Sequence, residues 1–143
     1  MEQNIRGIKC ALDYYRLIAF LKQLPQANMV VAVPWCLLDG TIIMRNYKAS
    51  KEDLKTVEKH RIWELELQCF FQNSDPIDIA TYQDFLLSPC VCYLFYFDCG
   101  YLEIYVKCPI MFQQFWGYLM DLDAEDLQVI TDRNDTRTFF SVG

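Results

Sequence analysis

With 143 residues, 53% of them apolar and 22% charged, the chain has ordinary globular composition and falls well away from disorder. Nineteen acidic residues against 13 basic ones give a formal charge of −6, which speaks against general nucleic-acid affinity, because neutralising phosphates takes clustered Lys and Arg. The longest apolar runs, Met29 to Leu38 and Cys90 to Phe97, are shorter than the roughly 18 residues a helical membrane span needs.

Length favours one domain over residues 1–143. Met1-Glu2-Gln3-Asn4 holds no basic region leading into an apolar stretch, so no signal peptide is expected and cytoplasm is the expected compartment. Ile5 to Leu12 reads as a strand and Asp13 to about Leu24 as a helix. Tyr14, Leu17, Ile18 and Leu21 form the apolar stripe of its core-facing side, Asp13 can cap it, and Pro25 ends it. Met29 to Val33 and Thr41 to Arg45 are β-rich runs on either side of a Leu38-Asp39-Gly40 turn. Ser50 opens a short polar helix to about His60. From Ile62 to Phe71 the chain alternates: Trp63, Leu65, Leu67, Cys69 and Phe71 face one way, Glu64, Glu66 and Gln68 the other. That predicts a half-buried strand.

Asn73-Ser74-Asp75-Pro76 breaks the strand, and Thr81 caps a short helix to Leu87. Val91 to Phe97 and Tyr101 to Lys107 flank Asp98-Cys99-Gly100 as a hairpin. The first arm is apolar on both faces, as in a central strand. In the second, Leu102, Ile104 and Val106 face inward, with Tyr101, Glu103, Tyr105 and Lys107 opposite. A three-residue loop pairs Phe97 with Tyr101 and brings Cys90 against Cys108; a two-residue Cys99-Gly100 loop would separate them. Pro109 suits a first helical turn, and Phe112, Phe115, Trp116 and Leu119 stripe a helix to about Leu122. Leu127 to Ile130 and Thr138 to Val142 close the chain as strands.

Three segments of the second half occur together in a known order. They are Thr81-Tyr82-Gln83-Asp84-Phe85-Leu86, then Leu102-Glu103-Ile104-Tyr105-Val106-Lys107, then Ile130-Thr131-Asp132-Arg133-Asn134-Asp135-Thr136-Arg137-Thr138 with a closing Ser141-Val142. The chain thereby resembles the uncharacterised bacterial family catalogued as domain of unknown function 2691, over roughly residues 77 to 143. The opening Arg6-Gly7-Ile8 also looks like that family's start. The resemblance implies a compact single domain in a small cytoplasmic protein, and it brings no activity, substrate, cofactor or catalytic residue.

Familiar chemistry is sparse. The five glycines are scattered, so neither a dinucleotide-binding nor a Walker loop can be written. The single histidine, His60, is read as exposed or capping; a Cys-His dyad would need it to meet Cys69 or Cys36 in space. The seven cysteines (10, 36, 69, 90, 92, 99 and 108) lack metal-ligand spacing and mostly lie in apolar stretches, so they are read as reduced core residues. Asp121, Asp123, Glu125 and Asp126 lack the pattern of an EF-hand loop and are read as a solvated helix end, electrostatically awkward beside a helix C-terminus. Lys51, Lys55 and Lys59 are read as a solvated face.

The expectation is an α+β single domain with a mostly antiparallel or mixed sheet of about six to eight strands and three to four helices packed on it. No catalytic, cofactor or metal residue is assigned, and neither nucleic acid nor membrane is an expected partner. The candidate binding surface is Asp132, Arg133, Asp135 and Arg137 with the outward Tyr101, Glu103 and Tyr105. Arg133 and Arg137 can fork a carboxylate or phosphate. The competing reading makes this segment a turn whose arginines pair with Asp132, Asp135 or the acids at 121–126. Two functions remain open: a non-catalytic interaction or regulatory module, of immunity type for example, that binds another protein, or a small-molecule binder or minor enzyme with an aromatic-lined pocket.

Overall fold

The computed structural model describes residues 4–23, 28–31, 35–36, 42–43, 65–70, 79–97 and 100–137. In chain order these form β1 (Ile5–Ala11), α1 (Tyr14–Gln23), β2 (Asn28–Val31), β3 (Trp35–Cys36), β4 (Ile42–Ile43), β5 (Leu65–Phe70), α2 (Tyr82–Leu87), β6 (Cys92–Phe97), β7 (Tyr101–Val106), α3 (Pro109–Asp121) and β8 (Glu125–Thr131). The large sheet has the order β2-β5-β6-β7-β1-β8, and every pairing in it is antiparallel. This is the expected α+β class. Among the described residues the sheet holds six strands, with β3 and β4 paired apart from it, so the upper part of the expected six to eight is not seen there. The first β-rich run also finds a different neighbour: β2 pairs with β5, and it is Trp35–Cys36 that pairs with Ile42–Ile43. The helix expected from Ser50, His60, the lysines at 51, 55 and 59, and the strand expected at 138–142 lie outside the described residues.

One face of the sheet carries α1 and α3. Leu17, Ile18 and Leu21 of α1 pack with Ile8 and Cys10 of β1, Leu94 of β6, Leu102 and Ile104 of β7, and Phe115 and Leu119 of α3. Asp13 caps α1 by accepting the Arg16 N–H at 2.9 Å. The Phe20 and Phe115 rings meet edge to face at 5.7 Å, locking the two helices together. At the end of α3, Asp123 takes a positive φ of 56°. The Ala124 N–H then reaches the Leu119 carbonyl and the Asp123 N–H that of Met120, each at 3.0 Å, which closes the helix as a Schellman motif. Arg16 Nη1 bonds the carbonyls of Leu122 at 3.3 Å and Asp123 at 2.5 Å. This cation at the C-terminus offsets the acids that looked awkward there.

The second face is where the sequence reading needs correction. Gln68, expected to point to solvent, is buried, and so is Tyr105. Their face is covered by α2, so Phe70, Phe85, Tyr93, Phe95, Tyr105 and Ile130 form a second core. The cover is short but firmly started: Thr81 accepts the Asp84 N–H at 3.1 Å and Asp84 Oδ2 accepts the Thr81 N–H at 3.2 Å, a reciprocal capping box. Lys107 anchors its other end, donating to the Ser88 carbonyl at 2.5 Å with its ammonium 4.6 Å from the centre of the Phe85 ring. Among the described helices none is long and apolar enough to cross a membrane.

Candidate functional site

Past Thr131 the chain leaves the edge of the sheet and runs back across its second face. Two ion pairs fasten it. Asp135, whose side chain is only 2% exposed, meets Arg6 at 3.0 Å and accepts the Tyr105 hydroxyl at 2.8 Å. Arg137 directs Nε and Nη2 to Glu103 Oε1 at 2.8 and 2.6 Å, with its guanidinium 4.1 Å from the centre of the Phe95 ring. Arg6 reaches this face because the β1–β8 register shifts between Ile5 and Gly7. Its guanidinium lies 4.3 Å from the centre of the Tyr82 ring. Burial first, then the hydrogen bond and charge of Asp135, push the Tyr105 phenol well above its ordinary range. Tyr105 therefore donates to the carboxylate and stays neutral.

Four of the seven candidate residues are thus brought together, as partners of one another. Glu103, Tyr105, Asp135 and Arg137 join β7 to the returning segment, and the acid that Arg137 meets is Glu103. Asp132 and Arg133 are exposed on the turn, where the Arg133 N–H bonds Thr131 Oγ1 at 3.3 Å. Arg6 joined the resemblance but not the candidate surface, because nothing in the alternation of β1 announces the bulge. The two arginines should consequently separate on mutation. Arg137→Ala is expected to cost about 1–2 kcal/mol, measured by urea unfolding, since it deletes a charge-assisted pair and a stacked guanidinium. Arg133→Ala should stay within about 0.5 kcal/mol of the parent.

Toward the other end of the same face an open groove of about 200 Å³ is lined by Lys9, Phe97, Tyr101, Glu103, Asp126 and Gln128, among others. Tyr101 is 54% exposed and stacks on Phe97 at 5.8 Å. Glu103 links the groove to the ion pairs, since it also holds Arg137.

Three of the described thiols, Cys10, Cys90 and Cys92, are poor nucleophiles. Burial pushes Cys10 and Cys90 up to about 12, and a hydrogen bond with Cys69, followed by burial, raises Cys92. Among the described residues no three His, Cys, Asp or Glu side chains are placed to hold a metal ion. Phe97 does pair with Tyr101, and the same register carries on to the Lys107 N–H and Val91 carbonyl at 3.2 Å. Cys90 and Cys108 lie just past the last pair of that ladder and both are free thiols; the cysteines that face each other in register are Cys69 and Cys92.

A family model described as "Protein of unknown function (DUF2691)" matches residues 41–141. The chain is 34% identical over 92 residues to the uncharacterised protein YncE of Bacillus subtilis (strain 168), covering 64% of this chain and 60% of that relative. It thus spans less than two thirds of that relative's length. No solved structure matches the chain.

Proposed function

Because the chain belongs to the DUF2691 family of proteins of unknown function, its role has to be argued from its own surface, and we propose that it is a non-catalytic module that binds another protein. The observation that carries this reading is the open groove of about 200 Å³ around the exposed Tyr101. Pockets for drug-sized ligands enclose roughly 300–1,000 Å³ and bury most of the ligand, which an open depression of this size does not do. A half-exposed tyrosine backed by a second ring and ringed by Lys9, Glu103, Asp126 and Gln128 has the anatomy of an interface anchor with a polar rim. Asp132 and Arg133, exposed on the turn, are the further contacts of this reading.

The test is Tyr101→Ala. The variant is expected to melt within about 2 °C of the parent, because a half-exposed side chain contributes little to the core. It should lose a stoichiometric partner that the parent recovers from native lysate. A small metabolite that raises the melting temperature of parent and variant alike, with no partner recovered by either, would overturn the proposal and favour a ligand pocket elsewhere.

A further inference from the structure

The outer edge of β8 bears most on what such a partner is. In an antiparallel strand, alternate residues turn both backbone groups to the same neighbour. Odd- and even-numbered residues of β8 alike stand opposite β1, so the hydrogen bonds decide: the Asp132 N–H donates to the Asn4 carbonyl at 3.1 Å, while the Thr131 N–H and Val129 carbonyl bond Asn134, which assigns the even-numbered residues to β1. Val129 and Thr131 therefore turn their N–H and C=O groups away from the sheet. Among the described residues no strand pairs with that side of β8. The Asp135 N–H takes the Thr131 carbonyl at 3.0 Å, and the carboxamide of Asn134 accepts the Thr131 N–H at 2.7 Å and donates to the Val129 carbonyl at 2.9 Å. One side chain thus holds an N–H and a C=O that would otherwise offer themselves to an added strand. At the other end Asp126, at a φ of 52°, marks a bulge where the β1–β8 register shifts between Lys9 and Ala11. A bulge and a side-chain plug are ways of keeping an edge from pairing indiscriminately.

The charge beside this edge selects the occupant. Asp121, Asp123, Glu125, Asp126 and Asp132 are all exposed on β8 and its two flanks. Arg16 touches only the near end, at 3.8 Å from Glu125. Leu127 and Val129, each partly buried, alternate with the polar Gln128. We propose that the β8 edge receives an extended segment of a partner protein in which lysine or arginine alternates with apolar residues. Its backbone takes over the groups Asn134 holds, and its cations meet Glu125, Asp126 and Asp132. This rests on the protein-binding reading and names the kind of partner.

The probe is a short synthetic peptide alternating valine with lysine, compared with its valine–glutamate counterpart. By amide NMR the lysine peptide is expected to shift Leu127, Val129 and Thr131, to weaken as salt is raised, and to leave β6 unmoved; the glutamate peptide should do nothing. Asn134→Ala should bind about threefold to tenfold tighter, since no amide has to be displaced. Glu125→Lys with Asp132→Lys should abolish binding while keeping the parent's circular dichroism, so that the proposal stays testable if Asn134→Ala proves unstable. Shifts confined to other strands, or binding indifferent to both the charge reversal and Asn134→Ala, would overturn edge docking. Dimerisation of Asn134→Ala with no affinity for the lysine peptide would also overturn it, in favour of a second copy at this edge. If the peptide fails while a Tyr101-dependent partner is still recovered, edge docking falls and the module reading stands. If the peptide binds the edge and no Tyr101-dependent partner exists, the groove is what falls.

Discussion

Gly7→Ala is expected to be the most damaging single-methyl change in the described structure. A Cβ at Gly7 would lie 1.9 Å from the Ile104 carbonyl oxygen, 2.8 Å from its carbon and 2.9 Å from the Tyr105 Cα. All three are backbone atoms of β7, which cannot swing aside as a side-chain tip could. Gly7 stands opposite Tyr105 on one side and Ile130 on the other, at the point where the β1–β8 register shifts. Relief therefore means parting β1 from β7 or undoing the bulge, and the bulge is what brings Arg6 to Asp135. We expect a loss of at least about 3 kcal/mol, at the upper end of what overpacking costs, read as a fall in the urea midpoint. Gly117 supplies the contrast: inside α3, with nothing within 4 Å of an added Cβ, Gly117→Ala should stabilise by roughly 0.5–1 kcal/mol. If Gly7→Ala unfolds within about 0.5 kcal/mol of the parent, the close packing of β1 on β7 is wrong.

Local chemistry was readable from the sequence, and long-range pairing was not. Thr81 marked a helix start, and the all-apolar run of β6 announced a strand covered on both faces. The loop length at Gly100 set the β6–β7 register, because a one-residue change would have moved every side chain to the opposite face. What failed was the assumption that a polar residue in an alternating strand faces water. Gln68 and Tyr105 share their face with Phe70, Tyr93 and Phe95, and those rings were the available signal that a second layer had to cover it. The neighbours of β1 could not be read at all, since no local pattern states that the first strand inserts between β7 and β8. Glu103 and Arg137 are 34 positions apart, and alternation gives each a face without revealing that the chain's return path puts one upon the other.

Asp135→Ala is expected to cost about 3 kcal/mol, or roughly 10 °C in melting temperature. Asp135, its side chain 2% exposed, serves three donors: Arg6 at Oδ2, the Tyr105 hydroxyl at Oδ1, and the Arg137 N–H, also at Oδ1, at 3.1 Å. Alanine leaves all three without that acceptor. Arg6, 24% exposed, regains some solvation, which keeps the expected loss below that of a wholly buried pair. The Tyr105 phenol, in a fully buried residue, regains none. Asp135→Asn keeps the Oδ1 acceptor for Tyr105 and the Arg137 N–H but turns an NH₂ toward the Arg6 guanidinium, so about half the loss should remain. Removing both charges distinguishes pairing from mere position. Arg6→Met with Asp135→Leu should be less destabilised than the two single changes summed, because the uncompensated partner disappears. Strict additivity in that double-mutant cycle, or a parent-like urea midpoint for Asp135→Ala, would show that the returning segment is held by Arg137 and Glu103 alone.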